Sequence, residues 1–279
     1  MRLARLSAGP LQEIAPFWAR RVRRLVVDLF TGVGVALVTL FDDAGALDAP
    51  ATAALAGDLV DRGMRGVLVC GTTGEAGKLS DIERCELTAA VRAAVPPAVP
   101  VLAGTGADTA AEAARLTAAA VSAGADAVLA WPPPGSEDLI GYFGAVAAAA
   151  DGRPVLAYHI PWLSAPGVPV AALPGLPVAG QKDSSGDPDR LLDEVTQYQG
   201  RTYVGSSAIL ALAGPLGAAG AILAAANAEP ERCAAAFGGD AAAQRELAAT
   251  HLAVRAGGPA ELKRILARQR GTAAYSRLG

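Results

Sequence analysis

A lysine, Lys182, stands in the run Val178-Ala-Gly-Gln-Lys-Asp-Ser-Ser-Gly-Asp187. An apolar stretch leads up to it and small polar residues follow at once. That is the pattern of a buried strand surfacing at the mouth of a cavity. Low-dielectric walls disfavour the charged form of an amine, and the free amine attacks a ketone to give a Schiff base. Two other clusters could serve that amine. Gly71-Thr72-Thr73-Gly74-Glu75 offers two hydroxyls and backbone N–H groups in a glycine turn, a cradle for a carboxylate. Tyr158 ends another apolar run, in Tyr158-His-Ile-Pro161, and a phenol there can move protons if a neighbour stabilises its anion. Each has a plainer reading when taken alone: a solvated loop lysine, a polar turn, a tyrosine with its ring in the core and its hydroxyl wet. Together they describe chemistry on a 2-keto acid. The amine forms an imine with the keto carbon, the imine acts as an electron sink, the adjacent carbon becomes an enamine, and the phenol moves the protons.

Such groups need a scaffold. Short runs rich in Val, Leu and Ile recur at residues 35–40, 66–70, 99–103, 125–130, 154–158, 177–181, 202–205 and 218–223. Most are apolar on both faces, as in strands buried in a parallel sheet. Ala-rich helical stretches lie between them. Ser80 with Glu83, and Thr109 with Glu112, read as capping boxes, and Asp187-Pro188 reads as an N-cap followed by Pro at the first helical position. Residues 50–62 show the same amphipathic pattern. Strand then helix, eight times over, is the order of a (β/α)8 TIM barrel; a doubly wound sheet is the rival. Working residues of such a barrel sit where strands end. The three clusters fall at the ends of the second, fifth and sixth runs.

The barrel is expected over residues 33–227 and a C-terminal helical segment over 228–279, with helices at 229–237, 241–255 and 259–270. Residues 1–32 read as an N-terminal extension, loosely packed or poorly ordered, or as the product of a start codon assigned too far upstream. Its basic cluster, Arg20-Arg-Val-Arg-Arg24, has a nucleic-acid or membrane patch as its other reading. It lacks the apolar core and small-residue cleavage site of a signal peptide.

Composition narrows the class. At 279 residues one large barrel fits, and 52% hydrophobic residues supply an ample core. A net charge of −3 argues against nucleic acid as the general partner. No uninterrupted apolar stretch is long enough to span a membrane. Cys70, Cys85 and Cys233 have no metal-ligand spacing, and an odd number without a secretion signal suggests reduced thiols in the cytoplasm. His159 and His251 are far apart, so no metal site is expected. Gly71–Lys78 is not a phosphate-binding P-loop: five residues, not four, separate Gly71 from Gly77, and Leu79 follows Lys78 where a hydroxyl is required. Gly104-Thr-Gly106 lacks the third glycine of a dinucleotide loop. Nothing calls for a cofactor beyond the covalent imine on Lys182.

Gly71-Thr-Thr-Gly-Glu75, Tyr158-x-x-Pro161 and Lys182-Asp-Ser-Ser-Gly186 resemble the dihydrodipicolinate synthase / N-acetylneuraminate lyase family of Schiff-base aldolases. The resemblance runs from about Val33 onward. It includes Ala103-Gly-Thr-Gly-Ala107, Ala123-Gly-Ala-Asp-Ala127, Gly217-Ala-Ala-Gly-Ala-Ile222 and Asn227. It implies a TIM barrel with a C-terminal helical segment, assembled as a homo-oligomer, dimer or tetramer. It implies that Lys182 forms the imine with pyruvate or a similar keto acid and that Tyr158 shuttles protons. Gly71, Thr72 and Thr73 would hold the carboxylate, the Thr72 hydroxyl would link Tyr158 to the relay, and Ser206 would contact substrate.

The departures bear on substrate. The synthases carry an arginine five residues after the motif tyrosine, paired with the carboxylate of the aldehyde substrate. Here that position is Leu163, similar to the sialic acid lyase pattern, and the loss of a bidentate partner is costly. Many members carry paired tyrosines after the fourth strand, one of which completes the relay in a neighbouring subunit. This chain has Trp131-Pro-Pro-Pro134, so the relay must end in water or another group. Leu40 replaces the proline of the opening Thr-Pro-Phe, in Thr39-Leu-Phe41. The expected function is a pyruvate-dependent aldolase or lyase for a hydroxylated 2-keto acid, such as a keto-deoxy sugar acid or 4-hydroxy-2-oxoglutarate. The alternatives are a 2-keto acid dehydratase, 4-hydroxy-tetrahydrodipicolinate synthase, and a non-catalytic keto-acid-binding protein.

Overall fold

The computed structural model describes residues 29–278. The Arg20–Arg24 cluster and most of the expected N-terminal extension lie outside them. Eight strands form: β1 (Gly32–Ala36), β2 (Val67–Val69), β3 (Val101–Gly104), β4 (Ala127–Ala130), β5 (Val155–His159), β6 (Gly180–Asp183), β7 (Arg201–Val204) and β8 (Gly220–Leu223). They pair in chain order, and β8 returns to β1 to close a parallel barrel. The connecting helices are α1 (Ala49–Asp61), α2 (Asp81–Ala94), α3 (Ala110–Ser122), α4 (Leu139–Ala149), α5 (Pro188–Gln197) and the short α6 (Leu210–Ala213). Then come α7 (Pro230–Phe237), α8 (Ala241–Glu246) and α9 (Ala248–Arg270). Among the described residues no helix is long and apolar enough to cross a membrane.

Period-two alternation sorts the strand residues. Val67, Val69, Val101, Ala103 and Leu223 pack outward in one apolar layer, and Val128, Val155 and Ala157 in another. Leu68, Leu102, Leu129, Leu156, Tyr158, Tyr203 and Ile222 fill the barrel interior. Phe30 plugs the floor. Its ring centroid lies 4.7 Å from that of Tyr203, whose hydroxyl donates to the Phe30 carbonyl at 2.8 Å. A Cβ on Gly34 would lie 2.9 Å from that ring, so only glycine fits there.

The first strand departs from the expected 35–40. Its glycine-rich start hides it from a count of apolar residues, and packing begins at buried Leu29 and Phe30. Beyond Leu37 the backbone turns to side chains: Val38 N–H donates to Asn227 Oδ1 at 3.1 Å and Leu40 N–H to Thr52 Oγ1 at 2.9 Å. The sixth strand is also shifted, from 177–181 to Gly180–Asp183, so Lys182 lies within it rather than beyond it.

Helix starts follow the cap signals unevenly. The Ser80–Glu83 box is complete, and Asp187 caps α5 with Pro188 at its first position. At α3 Thr109 accepts from Glu112 N–H, but the Glu112 carboxylate turns to Arg115 instead. Past the barrel, the expected helix 241–255 breaks after Glu246, and the expected break near 258 is a kink inside α9 at Gly258, followed by Pro259.

Candidate active site

Lys182 and Tyr158 face each other across paired strands. β5 and β6 run in register with Tyr158 opposite Lys182, and both side chains point into the barrel near its C-terminal mouth. Both are buried, and the Lys182 Nζ sits 4.5 Å from the Tyr158 ring centroid. The phenol oxygen accepts from Ser184 Oγ at 3.1 Å. Ser184 lies two residues past Lys182, so strand alternation carries both to the same face. That spacing was readable in the sequence, but Ser184 was not among the expected site residues.

Gly205, just past β7, makes room for this pair. A Cβ there would lie 2.0 Å from Ser184 Oγ and 2.9 Å from Lys182 Cε. Amine and hydroxyl are thereby packed over one bare stretch of backbone, with the phenol bonded to the hydroxyl beside them. Their arrangement can form an imine, hand protons to and from the carbon beside it, and stabilise the phenolate by a hydrogen bond. Among the described residues the hydroxyl bonded to Tyr158 is that of Ser184.

Gly71, Thr72 and Thr73 form a turn directly after β2. The Gly71 carbonyl accepts from Gly74 N–H at 3.1 Å and Ala76 N–H at 3.2 Å, and Thr39 Oγ1 donates to the Gly74 carbonyl at 2.7 Å. Among the described residues no partner takes the N–H groups or hydroxyls of Thr72 and Thr73, so they are available to an anion. The turn is strained. Cys70 and Glu75 bracket it with φ of 52° and 54°, left-handed conformations that cost a non-glycine residue ~1–3 kcal/mol each. Burial pushes the Cys70 thiol up to about 11.

The remaining expected contacts sit further out. Ser206 lies against the loop after β6: a Cβ on Gly186 would lie 2.9 Å from its Oγ, which accepts from Ala208 N–H at 3.3 Å. Leu163 is 36% exposed in the turn after β5, beside Trp162, which is 69% exposed. Trp131 packs partly buried against the interior cluster that includes Tyr158, in the place expected to carry a relay tyrosine. Its carbonyl accepts from Tyr142 OH at 2.6 Å. His159 alternates to the outer face, away from the site, where its Nδ1 accepts from Val168 N–H at 3.0 Å. Burial first, and then Arg190, lower its pKa, so the ring is neutral with its proton on Nε2.

Beneath Lys182, on the outer face of β6, lies a buried ionic cluster. Arg190 Nε stands 2.8 Å from Glu194 Oε1 and 3.8 Å from Asp183 Oδ1. Asp183 also accepts from Ser185 N–H and Ser185 Oγ, each at 2.8 Å. One guanidinium thus serves two buried carboxyl groups. Glu194 is pushed up to about 8 by burial and by Asp183, which outweigh Arg190 and Gln181. Among the described residues no group of three or more His, Cys, Asp or Glu is placed to hold a metal ion.

Comparison with known proteins places this geometry. The model of the dihydrodipicolinate synthetase family matches residues 29–255. The chain belongs to that family. Its relatives include a 4-hydroxy-tetrahydrodipicolinate synthase of Corynebacterium aurimucosum, 36% identical over 58% of this chain and 56% of that one. An uncharacterized DapA-like lyase of Chloroflexus aurantiacus is 37% identical over 68% of this chain and 70% of its own length. The chain spans about half the length of most of the curated synthases it matches, 56% of the first and 45% of the next. Among solved structures, the synthase family member YagE from E. coli K12, in complex with pyruvate, superposes with a TM-score of 0.80 at 26% identity. That match covers 89% of this chain and 91% of the other. The dihydrodipicolinate synthase of Aquifex aeolicus gives 0.80 at 29% identity over 89% and 91%.

Proposed function

We propose that this member of the dihydrodipicolinate synthetase family is a pyruvate-dependent lyase that works through an imine on Lys182. The observation that carries the reading is the meeting of a buried amine, a buried phenol and a serine hydroxyl, the first and last packed over Gly205. Lys182 attacks the keto carbon of pyruvate or a longer 2-keto acid and water leaves. The imine draws electrons from the bond beyond the adjacent carbon. Tyr158, held by Ser184, takes the proton from the hydroxyl on the carbon beyond as that bond breaks, leaving an aldehyde and the enamine, and returns a proton in condensation. Thr72 and Thr73 receive the carboxylate. Relatives support the reading: one family structure holds pyruvate, and another relative is named a lyase.

The substrate proposed is a hydroxylated 2-keto acid, because Leu163 offers no charge to a second carboxylate. The second reading, 4-hydroxy-tetrahydrodipicolinate synthase, is favoured by the names of several curated relatives. The two separate in one assay panel. The account expects pyruvate release from a hydroxylated 2-keto acid and slow condensation of pyruvate with aspartate semialdehyde. It expects Leu163→Arg to improve that condensation by roughly 10–150-fold, the range for a charge-assisted bond of about 1.5–3 kcal/mol. Efficient condensation by the wild type would favour the second reading. No release and no condensation from any substrate, with pyruvate still bound, would leave a keto-acid-binding protein.

A further inference from the structure

The carboxylate turn is not held by the barrel alone. Glu75 ends the motif three residues after Thr72, and its side chain is fully buried. Four donors converge on its carboxylate, and all come from beyond the barrel. Lys263 Nζ of α9 donates to Oε1. Ser276 Oγ, Arg277 N–H and Leu278 N–H donate to Oε2 at 3.1, 2.7 and 3.0 Å. Lys263 also donates to the Tyr275 carbonyl at 2.9 Å, which ties the helix to the segment that follows it.

Arg277 then reaches across the far end of the same turn. Its guanidinium donates to the Lys78 and Gly45 carbonyls, each at 2.9 Å, and makes a two-pronged pair with Glu83 at 2.6 and 3.0 Å. Phe41 is gripped between two cations, with Lys263 Nζ 4.3 Å and the Arg277 guanidinium 4.1 Å from its ring centroid. Residues 275–278 therefore clasp the turn at its Glu75 end and just beyond, the start of α2, and the loop after β1.

This is a large commitment of polar groups to one strained turn. Glu75 holds a left-handed conformation, and Thr72 and Thr73 keep their donors unpaired. A turn with empty donors and two disfavoured residues relaxes unless something outside it sets its shape. The only charge inside it, Glu75, is the point where the outside grip is made.

We propose that residues 275–278, together with Lys263, form a strap that fixes the 71–75 turn in the shape that receives a keto-acid carboxylate. Glu75 and Arg277 are then positioning residues: they act through Thr72 and Thr73 and touch no substrate. The functional half of this proposal rests on the pyruvate reading above.

Two readouts on the full-length protein test it. The first is amide hydrogen exchange at residues 71–78. The second is the pyruvate concentration that gives half-maximal borohydride trapping on Lys182. Arg277→Ala and Glu75→Gln should each speed exchange at 71–78 by about tenfold or more. Each should raise the half-saturating pyruvate concentration by about tenfold, with trapping at saturation still complete. Arg277→Lys should recover part of both effects. Arg153→Ala, which breaks the surface pair with Asp126 at the N-terminal end of the barrel, should change neither. Arg277→Ala, on the outer side, carries the test if Glu75→Gln does not fold. Unchanged exchange at 71–78 overturns the strap. Faster exchange with unchanged half-saturation overturns its role in capture. If the wild type traps no pyruvate at all, the lyase reading fails, and exchange still decides whether the strap holds the turn.

Discussion

At the scale of residues, the site rests on a short chain of contacts. Lys182 lies over the Tyr158 ring, and Tyr158 accepts from Ser184. If the phenol moves the protons, Tyr158→Phe should lower kcat by ~10²-fold or more while leaving imine trapping on Lys182 intact. Ser184→Ala removes one hydrogen bond of about 1–1.5 kcal/mol from the phenolate, so its kcat should fall by roughly tenfold, with a shifted pH profile. Steady-state kinetics on a hydroxylated 2-keto acid that the panel shows to be turned over measure both. Lys182 and Tyr158 were legible because each ends an apolar run, a position that is informative in a barrel. The partner of the phenol was not. Thr72 and Ser184 are both small hydroxyl residues near strand ends, and only the register of β5 on β6 selects Ser184.

At the scale of elements, β6 carries two different chemistries on its two faces. Lys182 points inward. Gln181 and Asp183 point outward onto α5, where Arg190 and Glu194 complete a buried cluster. Glu194 has a folded pKa of about 8 against an ordinary 4.5. The folded chain therefore keeps a proton on Glu194 that the unfolded chain loses first, and the contribution of Glu194 to stability falls as pH rises from about 4.5 to about 8. Glu194→Gln should remove that fall, so that urea midpoints at pH 5 and pH 8 lie closer together than in the wild type. A wild-type midpoint that rises over the same interval and a Gln variant that follows it would contradict the assignment. The sequence showed Asp187-Pro188 starting this helix but not the cluster. A buried carboxyl and an exposed one look alike until the neighbours are known. The same holds for β1, where Gly32 and Gly34 mask a strand that Phe30 supports from within the barrel.

At the scale of the whole molecule, the helices beyond the barrel are joined to the mouth of the site through Lys263 and Glu75, 188 residues apart in sequence. Lys263 is fully buried, and burial lowers its pKa while Glu75 opposes that shift. Lys263→Met should cost about 3–5 kcal/mol, because it leaves the Glu75 carboxylate buried with its closest charge gone. Lys263→Met with Glu75→Gln should cost less than Lys263→Met alone. Denaturant unfolding of the variants measures the coupling. The eight-fold strand and helix order was legible because most strands are apolar on both faces. The long-range grip was not, since Glu75 reads locally as the end of a polar turn and Arg277 as a surface cation. Only the path of the chain after α9 brings them together.

The central claim is that Lys182 is the imine-forming amine, and one measurement reaches it directly. The protein is incubated with pyruvate, reduced with borohydride, digested and mapped by mass. The account predicts a single reduced pyruvate adduct per chain, located on Lys182, and none in Lys182→Ala. An adduct on Lys78 or Lys263 instead, or no adduct at saturating pyruvate, would contradict it.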